Sequence, residues 1–228
     1  IKGSGLLRVA RNDVCYAGRS MIEMLGVLAI VGVLSVGGIA GYSKAMEKFK
    51  VNRVVDDFNM LIMNILEHRD SFEKIGNEKT ELQLTDIIWD MNLVPANWKK
   101  LNSAYLEDSM GNWLNVYTRK PYSSSSYDGI VFDYNLGGMS IDEDGNKFSE
   151  SFNNKLCFEL FNTVIVPLHH VFKRGRMYPD ANDEYIYFGD AYCDGNTMPC
   201  LKDLTLSRIQ EICNTCSKIE RCNVTVNF

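Results

Sequence analysis

One carboxylate in this 228-residue chain stands where charge is costly. Glu23 opens a run, Met24 to Tyr42, that contains no charged side chain. At 1.5 Å of helical rise per residue the run spans roughly 28 Å, the thickness of a bilayer's hydrocarbon core. A lone charge at its edge costs on the order of 3 kcal/mol in lipid. The chemistry expected of Glu23 is therefore ion pairing with a cation from elsewhere, because either member of a buried pair left alone is strongly destabilising.

Cysteines form the second chemically active set. Cys15 lies near the N-terminus, and Cys157, Cys193, Cys200, Cys213, Cys216 and Cys222 crowd the C-terminal third. An even number in a domain carried across a membrane reads as disulfides in an oxidising compartment. Cys213 and Cys216 form a C-x-x-C pair, which raises zinc or redox chemistry as rivals. A zinc ribbon wants a second close pair, however, and Cys193 and Cys200 have six residues between them; no βαβ context supports a redox motif.

Other groups carry less. His169 and His170 are adjacent, so on a helix they point about 100° apart rather than forming the i, i+4 pair of zinc hydrolases. His68 stands alone. Asp142-Glu143-Asp144-Gly145-Asn146 could hold calcium, but an EF-hand loop counted from Asp142 would need glycine and glutamate where Lys147 and Asn153 stand, so a solvated hairpin turn is expected. No G-x-S-x-G, phosphate-cradling glycine loop or H-E-x-x-H is present, and no enzyme, cofactor or metal is expected.

The elements that position these groups begin with a helix. Beyond Tyr42 the apolar residues thin to one stripe, Met46, Phe49, Val51, Val54, Val55, Phe58, Leu61, Ile62, Ile65, Leu66 and Phe72, while Lys48, Arg53, Asp56, Asp57 and Asn64 occupy the opposite face. This is the three- and four-residue spacing of an amphipathic helix. No proline interrupts it, so one rod of some fifty residues is expected, apolar over 24–42, amphipathic over 43–73 and ending near Gly76.

A short helix capped by Thr85 and stopped by Pro95 follows, covered by Trp89 and Trp98. Alternation then predicts strands at 113–118, 129–134 and 139–141, a helix over 154–172 that Pro167 ends or bends, an aromatic strand at 184–188, a short helix at 204–212 and a closing strand at 223–228.

The formal charge is −5; Lys2, Arg8, Arg11 and Asp13 give the first eighteen residues +2, leaving −7 after Gly18. That balance implies no nucleic-acid partner. The chain does not open with Met, and is expected to begin within a leader.

A basic leader ending in Gly18, the segment Arg19-Ser20-Met21-Ile22, a glutamate five residues past the glycine and an unbroken apolar helix resemble the N-terminal signature of type IV pilins and pseudopilins. The resemblance implies cleavage after Gly18 by a prepilin peptidase, a new methylated N-terminus at Arg19, and pairing of Glu23 with the N-terminal amine of a neighbouring subunit. Members usually begin with Phe or Met, so Arg19 is a departure that adds a second cation near Glu23. Asn92-Leu93-Val94-Pro95 and the stretch Asp108 to Val116 are similar to the connecting region of the larger type IVb pilins. The cysteine-bounded terminal strand resembles the family's disulfide-bounded C-terminal region; on that likeness Cys157 is expected to pair with Cys213 or Cys222, and Cys193 with Cys200.

The fold so implied is α+β: a long N-terminal helix, transmembrane then amphipathic, packed on an antiparallel β-sheet. Its expected divisions are a leader (1–18), the helix (19–76) and an extracytoplasmic head (77–228). The expected function is a structural subunit of a pilus fibre, a homo-oligomer built by inner-membrane assembly machinery, spanning the inner membrane once with its head in the periplasm before export to the cell surface. A minor pilin or pseudopilin of a secretion apparatus, and a membrane-anchored binding module, are the alternatives.

Overall fold

A computed structural model of the chain describes residues 21–76, 81–119, 129–141, 147–148, 152–178, 185–216 and 222–228. Helix α1 runs over Met21–Glu67, and α2 over Arg69–Gly76. The rod expected to be unbroken is thus interrupted at His68. There the ladder tightens, with the His68 N–H bonding to the Ile65 carbonyl at 3.0 Å, and restarts as Ser71 and Phe72 both donate to the His68 carbonyl. The chain divides into two compact units, Ile1–Met46 and Glu47–Phe228, so the boundary falls inside α1 rather than after it.

Within the first unit the described part of α1 buries nothing. Ile22, Leu25, Leu28, Val33, Leu34, Val36 and Ile39 are all more than half exposed. This is the one helix among the described residues long and apolar enough to cross a membrane.

Within the second unit the apolar stripe has a partner. Val51, Val54, Val55, Phe58, Leu61, Ile62 and Ile65 are buried, joining one core with the sheet residues Leu114, Val116, Ile130, Phe132, Tyr134, Val224 and Val226. Phe58 stacks on Tyr134 with ring centroids 5.1 Å apart and meets Phe132 edge-on at 6.0 Å. Each fully buried side chain of this size contributes about 1.5–3 kcal/mol.

Two expectations about the stripe need correction. Phe49 is 62 % exposed, because the core begins only at Val51. Asp57, assigned to the solvent face, is buried, held by Asn97 Nδ2 at 2.7 Å and by Arg53 Nε at 3.3 Å.

The sheet is antiparallel. Its strands are β1 (Glu81–Gln83), β2 (Lys99–Lys100), β3 (Tyr105–Glu107), β4 (Trp113–Arg119), β5 (Gly129–Leu136), β8 (Arg174–Tyr178), β9 (Tyr185–Phe188) and β10 (Cys222–Asn227). Their order is β2-β3-β4-β5-β10-β8-β9, with β1 pairing the far end of β4 beyond β3; β6 (Ser140–Ile141) and β7 (Lys147–Phe148) form a separate pair. Strands β1, β2, β3, β7 and β8 escape period-two reading, the first four by brevity and β8 because Arg174-Gly175-Arg176 lacks apolar alternation. Gly175 packs closely there: a Cβ would stand 3.0 Å from an Ile165 methyl and 3.2 Å from a Leu201 methyl.

β10 lies between β5 and β8, and every one of its residues is buried. Its core face offers Val224 and Val226. Its other face is polar: Thr225 donates to Asp133 Oδ1 at 2.5 Å, Asn223 to Asn135 Oδ1 at 3.3 Å, and Asn227 Oδ1 accepts from Arg174 Nε at 2.9 Å. Tyr117 also donates to Asp133, at 2.8 Å; burial first, and then the nearby Asp133 charge, push that phenol's pKa up.

Helix α3 (Thr85–Asp90) begins without the expected Thr85 cap. Leu84 takes the cap position, and the buried Thr85 hydroxyl donates instead to the Ala104 carbonyl at 3.0 Å. Helix α4 (Asn154–Leu160) is capped by Asn153, whose Oδ1 accepts from Lys155 and Leu156 N–H groups. It then widens into a π-helical turn, Phe161–Ile165, closed by Val166 N–H to Phe161 carbonyl at 2.8 Å. Pro167 follows at once; its ring crowds the turn before it and supplies no N–H, the usual setting for such a widening. Helix α5 (Leu206–Asn214) is capped by Thr205.

Candidate functional site

Gly18 and Arg19, the expected processing and assembly residues, lie outside the described residues. Glu23 is in the first described turn of α1. Val27 is one turn further on the same face, and Met24 and Leu28 flank it, so the carboxylate opens an otherwise apolar strip. Gly26, Gly32, Gly37, Gly38 and Gly41 have open space where a Cβ would stand. Small residues on an apolar helix permit close backbone approach by another helix.

The C-terminal cysteines are joined as Cys157–Cys213, Cys193–Cys200 and Cys216–Cys222. Of the two partners open to Cys157, the structure has Cys213, which ties α4 to α5 in the core. Cys213 and Cys216 enter different bridges because α5 ends between them and Cys216 turns toward the start of β10. Among the described residues no group of three or more His, Cys, Asp or Glu is placed to hold a metal ion. The histidines are separately accounted for: His169 Nδ1 meets Asp190 at 2.9 Å, His170 packs edge-on against His169, and His68 packs edge-on against Phe72. The calcium-like turn over 142–146 lies outside the described residues.

One polar centre is invisible to motif reading. The buried carboxylate of Asp108, in the turn between β3 and β4, accepts from Met110 N–H at 2.7 Å, Asn112 N–H at 3.0 Å, Asn112 Nδ2 at 2.6 Å and the Tyr134 hydroxyl. Burial pushes the Asp108 carboxyl's pKa up, against the pull of those four donors. Burial and the Asp108 charge push the Tyr134 phenol well up, so it stays a donor. Asn112 then reaches the neighbouring loop, its Oδ1 accepting the Gly137 N–H at 2.7 Å. The only hint in sequence is the turn composition Asp108-Ser109-Met110-Gly111-Asn112; that Tyr134 and Gly137 complete the centre depends on β4 and β5 pairing in register, Leu114 opposite Tyr134.

The loop between Cys193 and Cys200 is organised by Asp194, which accepts from Asn196 N–H, Met198 N–H and the Thr197 hydroxyl at 2.6–2.8 Å. These bonds, Thr197's foremost, hold its carboxyl down at about 2. No family model, curated protein or solved structure matches this chain.

Proposed function

We propose that the chain is a structural subunit of a type IV pilus or a related fibre, held in the inner membrane by the first half of α1 until assembly. The observation that carries this reading is the exposure of α1 from Met21 to Ala45: an apolar stretch in which every residue is exposed and whose single carboxylate, Glu23, lies in the first described turn. Water is a poor environment for that surface, so lipid or the same helix from other copies must cover it.

On this reading a prepilin peptidase cuts after Gly18, and the amine freed on Arg19 of one subunit pairs with Glu23 of the next. A helix packed among copies of itself is a low-dielectric setting in which such a pair fixes axial register, since any other register leaves both charges unpaired. The disulfides of the second unit fit a head that matures in the periplasm before the fibre reaches the cell surface.

The test is made in cells that produce the full chain with its peptidase and assembly machinery. Mass spectrometry of the mature chain should find Arg19 first, and Glu23→Ala should enter the membrane yet yield no fibres. A chain that keeps residues 1–18 and is recovered only as a monomer would refute the reading; fibres of normal yield from Glu23→Ala would refute the pairing.

A further inference from the structure

The turn between β3 and β4 and the glycine loop after β5 meet over a cleft of about 240 Å³. Trp113, Glu107, Gly111, Gly138 and Ser140 line it. We propose that this cleft binds one neutral, polyhydroxylated ring, a hexose unit of a glycan. The inference goes beyond the fibre reading and does not depend on it.

The cleft is built in advance of any ligand. Asn112 joins its two walls, bonded on one side to Asp108 and on the other to the Gly137 N–H. Gly111, Gly137 and Gly138 all have positive φ, at +84°, +84° and +73°. A Cβ on Gly138 would stand 2.9 Å from the Gly111 carbonyl oxygen and 3.6 Å from Trp113 Nε1, so glycine is what keeps the floor open beside the indole. A rigid, hydrogen-bonded support of this kind spares the ligand the cost of ordering the site.

Its surface chemistry selects the ligand. Trp113 is half-buried and tilted against Tyr105, with ring centroids 5.6 Å apart, which fixes its orientation. Its indole N–H makes no hydrogen bond among the described residues and is a donor only. Beside it Glu107, paired with Trp113 in the β3–β4 ladder, offers a carboxylate, an acceptor only, whose charge Lys99 balances at 3.9 Å. A hydroxyl group satisfies a donor and an acceptor alike, whereas an ammonium ion would face the indole N–H and compete with Lys99. The size favours a single ring over a drug-sized molecule, whose pockets start at about 300 Å³. The lining is chiefly polar, so the cleft suits a ring rich in hydroxyls, two of which the carboxylate and the indole N–H take.

The test uses the full chain in a polyoxyethylene detergent, which carries neither sugar nor ammonium. Saturation-transfer NMR is run against the methyl glycosides of glucose, galactose, mannose and N-acetylglucosamine, with tetramethylammonium as the rival probe. At least one glycoside should bind with millimolar affinity, and Glu107→Ala and Trp113→Phe should each weaken it about tenfold, the loss of one hydrogen bond. Near-UV circular dichroism checks that the variants fold; should Trp113→Phe fail, Glu107→Ala, at a partly exposed side chain, carries the comparison. Absence of saturable binding by every glycoside, binding that survives the substitution, or binding of tetramethylammonium in place of the sugars would each overturn the proposal.

Discussion

Replacing Asn112 by aspartate exposes the logic of the Asp108 centre through pH. Asn112 is 3 % exposed, and its Nδ2 is 2.6 Å from an Asp108 oxygen. Asn112→Asp sets a second carboxylate oxygen at that separation, where two like charges cannot both persist, so one carboxyl keeps its proton in the folded state. Its folded pKa then lies above the unfolded value of about 4, and the folded state binds more protons than the unfolded one. Stability relative to the parent must therefore be highest below the unfolded pKa and fall as pH rises through the folded one. At neutral pH the uncompensated buried charge should cost about 3–5 kcal/mol. Below pH ~4.5 the introduced carboxyl can donate its own O–H to Asp108, and the loss should shrink to about 1 kcal/mol.

Asn112→Ala separates this from simple loss of a side chain. It removes the bonds to Asp108 and Gly137 together, for about 2–4 kcal/mol in total, with little further pH dependence beyond the parent's own. Urea unfolding of the full chain in non-ionic detergent at acidic and neutral pH, each variant referred to the parent at the same pH, reads both effects. Equal losses for Asn112→Asp at the two pH values, or a loss under about 0.5 kcal/mol for Asn112→Ala, would refute the description of Asn112 as the tie between the two loops.

Removing the Cys157–Cys213 bridge by a double alanine substitution should cost more than removing Cys193–Cys200, since the first closes a separation of 56 residues and the second one of 7. Chain-entropy scaling gives about 4 and about 2 kcal/mol, measurable as denaturation midpoints of the oxidised chains. Gly189→Ala should prevent the head from folding, because a Cβ there would collide with the Phe172 carbonyl and lie 2.7 Å from that of His169; retained near-UV circular dichroism would contradict this. The Asp194 carboxyl should titrate at about 2 by NMR, so its ordering of the loop holds above the unfolded pKa and fades as pH falls through that value. Thr197→Val should move the midpoint upward, and an unmoved midpoint would exclude the Thr197 bond as the leading cause.

What was legible in the sequence is what periodicity and composition encode. The stripe from Val51 to Ile65 announces a helix with one buried face, and β4, β5 and β10 announce themselves by alternation. What was illegible depends on partners distant in the chain. Asp57 reads as a solvent residue until Asn97, forty positions on, comes to meet it. Thr85 has the composition of a cap, yet its hydroxyl is claimed by Ala104 across the turn. The break at His68 has no glycine or proline to mark it. Strand β8 is written in Arg174, Gly175 and Arg176 because the sheet presents a polar second face there, where Arg174 bonds to Asn227. The cleft beside Trp113 needs the register of β4 against β5 before its two glycine loops are seen to meet.

The position of β10 sets an order of events. It is the middle strand between β5 and β8, and its six residues are buried on both faces, so the sheet cannot close until the last part of the chain is in place. Such non-local pairing is slow to form because loop closure must precede the contacts that reward it. The apolar half of α1, by contrast, is local structure at the other end of the chain and needs no distant partner to become helical in lipid. On the proposed reading the helix therefore enters the membrane while the head is still open, and the head closes afterwards in the compartment where Cys157 and Cys213 can oxidise. The short Cys216–Cys222 bridge, made at the threshold of β10, restricts the chain just before the strand that completes the sheet, and so lowers the entropic cost of inserting it.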